Sequence, residues 1–322
     1  MSDSLITIER YSPRFEREWD NFVESSKNGT FLFNRSYMDY HADRFIDHSL
    51  LIYRKEKLYC LLPANRRDNV LYSHQGLTYG GLVMSDKCTT EGILDVFNSL
   101  MKFLPSQGIS KWIYKPVPYI YHRLPADEDL YALFRNDACL NIRNVSSTID
   151  LCSRLRFNKD RREAERRAIR NNLYVKETAD YSGFWVILKE NLHNTYGASP
   201  VHSLDEILSL SKKFPDNIKL FGSFIEDTMM AGMVVFITST TIHAQYISAS
   251  PEGKKKGAVD LIVAYLLDNY LPKEKDSIKW FDLGTSNEDG GRVLNESLIY
   301  QKEGFGGRAV CYDTYELEIP AS

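Results

Sequence analysis

Cysteine is scarce in this sequence, and what there is follows no pattern. The five residues, Cys60, Cys88, Cys139, Cys152 and Cys311, are odd in number and never spaced as CxxC. That distribution argues against a disulfide framework or a zinc knuckle and fits a reducing compartment. No apolar run approaches the roughly 18 residues of a membrane-spanning helix, and the opening MSDSLITIERYSPRFE lacks the apolar stretch of a secretion signal. A cytoplasmic protein without a membrane span is expected. An excess of charge is missing too: the net value is −3, so any polyanion site must be local. Neither a Walker loop (GxxxxGK followed by Ser or Thr) nor GxGxxG occurs, and no low-complexity linker divides the chain.

What is present is ordinary globular composition, 43% hydrophobic and 26% charged, over 322 residues. That length suits two domains of about 150 residues each. The 20 tyrosines offer rings for packing and hydroxyls for a wet cleft.

One order of elements runs through the chain twice. The second half reads as a charged helix (157–172), a strand (173–178) and helices at 181–194 and 204–214, the latter opened by Ser203 with Glu206 three residues on. Strands follow at 218–226, 229–238 and 241–250, then a helix from Gly257 to about 270, a strand (278–284), a helix (291–302) and a strand pair (308–319). The first half offers strand 5–10, helices 13–26 and 36–45, and strands 48–54, 57–66 and 69–83, broken at Gly76. Helix 90–104, strand 110–115, helix 127–137 and strand 142–151 complete it. We therefore expect an α/β fold with a mixed sheet in each of two domains, 1–150 and 151–322.

Several segments could carry chemistry. In SASPEGKKKGAVDLIVAYLL a strand gives way to a basic glycine turn and then a helix. Gly253 and Gly257 would let backbone N–H groups approach a pyrophosphate, with Lys254, Lys255 and Lys256 adding charge. The other reading is an exposed turn made soluble by its lysines. Asp282 ends a strand, and the helix after Gly290-Gly291 carries Asn295, Tyr300 and Lys302. Lys302 could equally complement the helix dipole. His202, in a loop, is a candidate proton shuttle or a packing residue. His74, Gln75 and Tyr79 lie on a kinked strand whose glycines allow close approach to substrate, and Gln245 and Tyr246 precede the basic turn. The helix from Arg154 to Arg170 holds seven arginines and reads as a solvated face or as a phosphate clamp, with Arg162 and Arg166 one turn apart.

With the element order, these segments resemble the GNAT superfamily, and within it the Fem-type branch of tandem GNAT-like acyl- and aminoacyltransferases. Residues 241–270 resemble the GNAT pyrophosphate motif, written here Gly253-Lys-Lys-Lys-Gly257-Ala258. The run Lys302-Glu303-Gly304-Phe305-Gly306 resembles the Fem-type Lys-x-Gly-Phe-Gly, whose lysine lies by the acyl carbonyl being transferred. LYSHQGLTYGGLV (71–83) and PVHSLDEI (200–207) are similar to segments of Fem-like acetyltransferases. The resemblance implies an N-acyltransferase whose acyl-CoA donor, acetyl-CoA or longer, docks on residues 253–258 with Asn295. Lys302 would stabilise the oxyanion and His202 or Asp282 would take the amine proton. The acceptor would be an amino sugar or peptide of a cell-envelope precursor, free or nucleotide-linked, with no metal required. Fem enzymes that use aminoacyl-tRNA often carry a long coiled-coil arm, whereas only residues 191–203 stand in its place here. That favours a small thioester over tRNA. Aminoacyl transfer from tRNA, or a binding protein without catalysis, are the alternatives.

Overall fold

Residues 6–271 and 277–320 are described in a computed structural model of the chain. In chain order the first elements are β1 (Ile6–Arg10), α1 (Glu16–Ser25), α2 (Arg35–Met38), β2 (Ile46–Asp47), β3 (Leu50–Arg54), β4 (Lys57–Leu62) and β5 (Asn65–Arg67). Next come β6 (Val70–Tyr72), β7 (Val83–Met84), α3 (Thr90–Ser106), β8 (Lys111–Tyr114), α4 (Glu128–Arg135) and β9 (Cys139–Asp150). They are followed by α5 (Lys159–Arg170), β10 (Tyr174–Thr178), α6 (Tyr181–Tyr196), α7 (Leu204–Lys213), β11 (Ile218–Ile225), β12 (Thr228–Ile237) and β13 (Thr241–Ala249). The last are α8 (Pro251–Lys256), α9 (Ala258–Tyr265), β14 (Trp280–Thr285), β15 (Asn287–Glu288), β16 (Val293–Leu294), α10 (Glu296–Gly304) and β17 (Arg308–Glu318). The chain divides into two compact units. Unit 1 takes the described residues up to Asn144, Asp289–Val293 and those from Cys311 on; unit 2 takes Val145–Glu288 and Leu294–Val310.

In unit 2 the strand order is β10-β11-β12-β13-β14-β9. β12 is buried almost throughout because both its faces are covered. Ala231, Met233, Val235 and Ile237 join the core beneath α9, while Gly232 on the other face lies against the Phe184 ring of α6. Pairing with β13 slips by one residue: Val234 opposes Tyr246 and Val235 opposes Ala244, so Gln245 is extra. This bulge reverses the alternation, and His243 and Tyr246, three residues apart, both face α6 with their partners Phe236 and Val234. β13 and β14 are parallel but pair only over Thr241–His243 with Trp280–Asp282. On its other side β14 pairs with β9, with an irregularity between Asp282 and Thr285 where Gly284 takes φ +80°. Beyond Asp282, therefore, β13 and β14 part.

Unit 1 uses the same parallel pair. β6 runs beside β8 over three residues, Val70–Tyr72 with Lys111–Ile113, and α3 is the crossover helix between them. The expected strand 69–83 is instead two short strands in different sheets, β6 beside β5 and β8, and β7 beside β4. Between them the chain turns at His74 (φ +59°) and packs back: Gly80 N–H donates to Lys115 O, and Lys115 Nζ donates to Leu77 O. Three further expectations differ. The segment 308–319 is one strand, helix 36–45 contracts to α2, and helix 291–302 starts at Glu296 after the short β15–β16 ribbon.

The helix expected after Gly257 is α9, and a short helix not expected, α8, precedes it because Ser250 caps its start and Pro251 occupies its first turn. Gly257 is then the left-handed end of α8 (φ +81°), and a Cβ there would sit 2.3 Å from Ala164 O of α5. Gly257→Val should cost about 2 kcal/mol or more, from strain and from forcing α5 off α9. Gly197→Ala, also left-handed (φ +60°) but with no described atom within 4 Å, should cost about 1 kcal/mol. Urea unfolding midpoints of the two variants check this order.

Candidate functional site

Where β14 leaves β13, its carbonyls no longer enter that ladder, and a side chain takes them up. Lys302, in the last turn of α10, is 7% exposed and donates from Nζ to Gly284 O (2.8 Å) and Thr285 O (2.7 Å). An ammonium has three N–H donors, so one remains. Burial pushes the Lys302 pKa down to about 8, partly offset by the nearby Asp282. The rest of the Lys-x-Gly-Phe-Gly run holds this end of α10 in place. Phe305 is buried against Phe157, and Gly306 (φ +94°) passes close to Leu155 O.

Asp282 is fully buried. It accepts hydrogen bonds from Ser146 Oγ, from Thr148 Oγ1 (2.9 Å) and from His243 Nδ1 (2.7 Å). A carboxylate so enclosed does not meet an incoming amine; it fixes His243, its partner in the parallel register. The His243 side chain is 12% exposed, and a Cβ on Gly284 would lie 3.7 Å from its Cε1 and 3.9 Å from Lys302 Nζ. Asp282, His243 and Lys302 thus surround one point, the left-handed glycine of β14. The sequence reading missed His243. The signal was its place on a strand ending in a basic turn, but no spacing ties it to Asp282, 39 residues on.

His202 is buried, and its ring lies near Phe236 and Tyr246 on the same face as His243. Its Nδ1 is 2.6 Å from the Tyr246 hydroxyl, which also accepts the His202 backbone N–H (3.1 Å). Burial raises the Tyr246 pKa, so the phenol stays protonated. Gln245, at the bulge, has a buried Oε1 that accepts no hydrogen bond among the described residues.

The basic turn is built differently from the expectation. The Gly253 N–H is taken by Ser250 Oγ (3.0 Å) and the Gly257 N–H by carbonyls of α8, so neither is free to cradle an anion. Gly253 is there because β12 passes: a Cβ would sit 2.2 Å from Met230 O. Lys255 is exposed and Lys256 pairs with Glu252, but Lys254 and Ala258 line a cavity of about 580 Å³ walled by α5, α9 and α10. Arg161 and Arg167 of α5 line it too, whereas Arg162 and Arg166 are exposed on the other side of the helix. Arg161 is bound to the buried Asp260 (2.9 Å), while Arg167 has no carboxylate partner among the described residues. Asn295 is the N-cap of α10, its Oδ1 accepting from Leu298 N–H (3.1 Å).

In unit 1, His74 and Tyr79 are buried within the segment that packs back beyond β6, and Tyr79 bonds Thr30. Burial, with His41 adding to it, pushes the His74 pKa down to about 3. Gln75 is exposed, but its backbone N–H and its Oε1 both bind Asn65.

No protein-family model matches the sequence, and no curated protein matches it either. Solved structures do. The crystal structure of FemX superposes with a TM-score of 0.68 over 97% of both chains, at 10% identity. The C-terminal domain of a putative lysylphosphatidylglycerol synthetase from Agrobacterium fabrum gives 0.59 over 95% of this chain and 92% of that one, at 9% identity. A tandem GNAT protein from the clavulanic acid biosynthesis pathway gives 0.51 over 99% and 100%, at 10% identity. The fold is that of the Fem-like, tandem GNAT proteins. Among the described residues no helix is long and apolar enough to cross a membrane.

The buried Lys302 has a measurable consequence. Its pKa falls from the ordinary 10.5 to about 8, so between these values the unfolded chain holds a proton that the folded chain has released. Stability contributed by this residue therefore rises with pH across that window, and below about 8 the cost of the buried charge is fully present. At ~1.4 kcal/mol per unit, wild type should gain about 3 kcal/mol relative to Lys302→Met on going from pH near 8 to near 10.5. Urea unfolding of both proteins across that range is the check.

Proposed function

We propose that unit 2 transfers an acyl group from a CoA thioester to an amine, with the acyl carbonyl held beside Lys302 where β13 and β14 part. One observation carries this reading: a buried ammonium with two donors spent on backbone carbonyls and one left, beside a strand edge released from its ladder. The cavity lined by Lys254, Arg161 and Arg167, together with Asp160, Glu163 and Asp260, supports a donor whose phosphates lie against Arg167, a cation there without a carboxylate partner among the described residues, and Lys254. The amine lone pair attacks the carbonyl carbon and forms the C–N bond. The carbonyl π pair moves onto oxygen opposite the Lys302 ammonium, and its return expels the thiolate. Positioning and a preorganised charge supply most of the acceleration, as is usual for acyl transfer to a bound nucleophile. An amino sugar or peptide of a cell-envelope precursor is the acceptor we favour, by analogy with the Fem-type branch.

The exposed Arg162 and Arg166 favour a second reading, an ester-linked aminoacyl donor whose nucleic-acid backbone runs along α5. Loss of activity on RNase treatment would select it over the thioester.

Lys302→Ala should lower turnover on the order of 100-fold or more while leaving CoA affinity nearly unchanged, because the contact grows only in the transition state. Wild-type turnover should also fall as pH rises through about 8, where the ammonium is lost. Arg167→Ala and Lys254→Ala should instead weaken CoA binding with a smaller effect on saturated turnover. Calorimetry with CoA and acetyl-CoA, paired with a thiol-release assay over an amine panel, measures both. Unchanged turnover in Lys302→Ala would remove the lysine from the chemistry.

A further inference from the structure

We infer that His243, held by Asp282, is the base that takes the proton from the acceptor amine and returns it to the leaving thiolate. The inference rests on the transferase reading above and adds the group that this reading lacks.

The two histidines near the site are distinguished by their partners. His202 Nδ1 faces the Tyr246 hydroxyl, and that oxygen already accepts the His202 backbone N–H. We take the phenol proton as the one between them, donated to Nδ1. Neutral His202 carries its own proton on Nε2 and has no lone pair to offer a substrate. His243 is set the opposite way. Its Nδ1 faces Asp282 Oδ2 at 2.7 Å, and a carboxylate can only accept, so Nδ1 carries the proton and Nε2 keeps its lone pair. Among the described residues Nε2 has no hydrogen-bond partner.

Asp282 is fixed in turn by Ser146 and Thr148 of β9, so the imidazole is oriented from behind. A buried carboxylate in this position also stabilises the imidazolium that forms when the base is protonated. Distance supports the assignment, because a Cβ built on Gly284 would meet both the His243 ring, at Cε1 (3.7 Å), and Lys302 Nζ (3.9 Å). A carbonyl carbon lodged there would have its oxygen towards the ammonium and the attacking nitrogen towards the imidazole.

The proton balance closes without another reactant. As C–N forms, an amine N–H proton passes to His243 Nε2. When the tetrahedral intermediate collapses, the C–S bond breaks and the imidazolium gives that proton to the thiolate, which restores the neutral ring.

The experiment compares His243→Ala, His243→Gln and Lys302→Ala with acetyl-CoA as donor. His243→Ala should lose on the order of 100-fold or more in turnover with CoA affinity unchanged, and free imidazole should restore activity in proportion to its concentration. His243→Gln should be equally slow but resist rescue, because the amide fills the space. Imidazole should not rescue Lys302→Ala. Nitrogen NMR of histidine-labelled protein gives a readout independent of turnover. In the neutral ring His243 should be protonated at Nδ1, and Asp282→Asn should abolish that preference. Wild-type turnover in His243→Ala, with Lys302→Ala slow, would overturn the base and leave the transferase reading standing. An Nε2-protonated His243 would overturn it whatever the activity. No acyl transfer by the wild type from acetyl-CoA to any amine would sink both.

Discussion

The two hydrogen bonds from Lys302 Nζ to the carbonyls of Gly284 and Thr285 hold β14 just beyond the point where its pairing with β13 ends. Parallel pairing stops at His243 and Asp282, and Gly284 then adopts a left-handed conformation that few other residues reach without strain. Carbonyls released in this way inside a protein must find a donor. α10 supplies one that is charged, and burying that charge is expensive. The lowered pKa of Lys302 is the signature of that cost, which is offset only in part by the nearby Asp282.

The same strand device occurs in unit 1 without the same opportunity. β6 and β8 part after three pairs, but residues 73–80 fold back beyond them and bind Ile113 and Lys115. The chain fills its own opening. His74, Gln75 and Tyr79 belong to this filling and are engaged within it.

Much of the fold was legible because the repeating order is written in long apolar strands and amphipathic helices, and both units do contain the parallel pair with its crossover helix. The glycines and phenylalanine that follow Lys302 are all used to seat one helix end. The glycine turn was misread for a local reason. Ser250-Pro251 is a helix start, and it consumes the Gly253 N–H that an anion would have needed. Gly253 and Gly257 serve close backbone packing on Met230 and Ala164, which leaves the same sequence trace as a phosphate loop. Among the arginines, only tertiary packing decides which face of α5 turns inward, and it selected Arg161 and Arg167 over Arg162 and Arg166. His243 escaped notice because its meaning comes from register. A bulge at Gln245 and a parallel neighbour at Asp282 give it a partner, and neither is visible in linear spacing.

The central claim is that an acyl carbonyl sits against the Lys302 ammonium. The most direct measurement is the carbonyl stretching frequency of an isotope-labelled, non-transferable ketone analogue of acetyl-CoA bound to the protein. A stretch shifted to lower frequency in wild type, and returned towards its solution value in Lys302→Met at equal occupancy, is the predicted result. A bound carbonyl whose frequency is the same in both proteins would contradict the account.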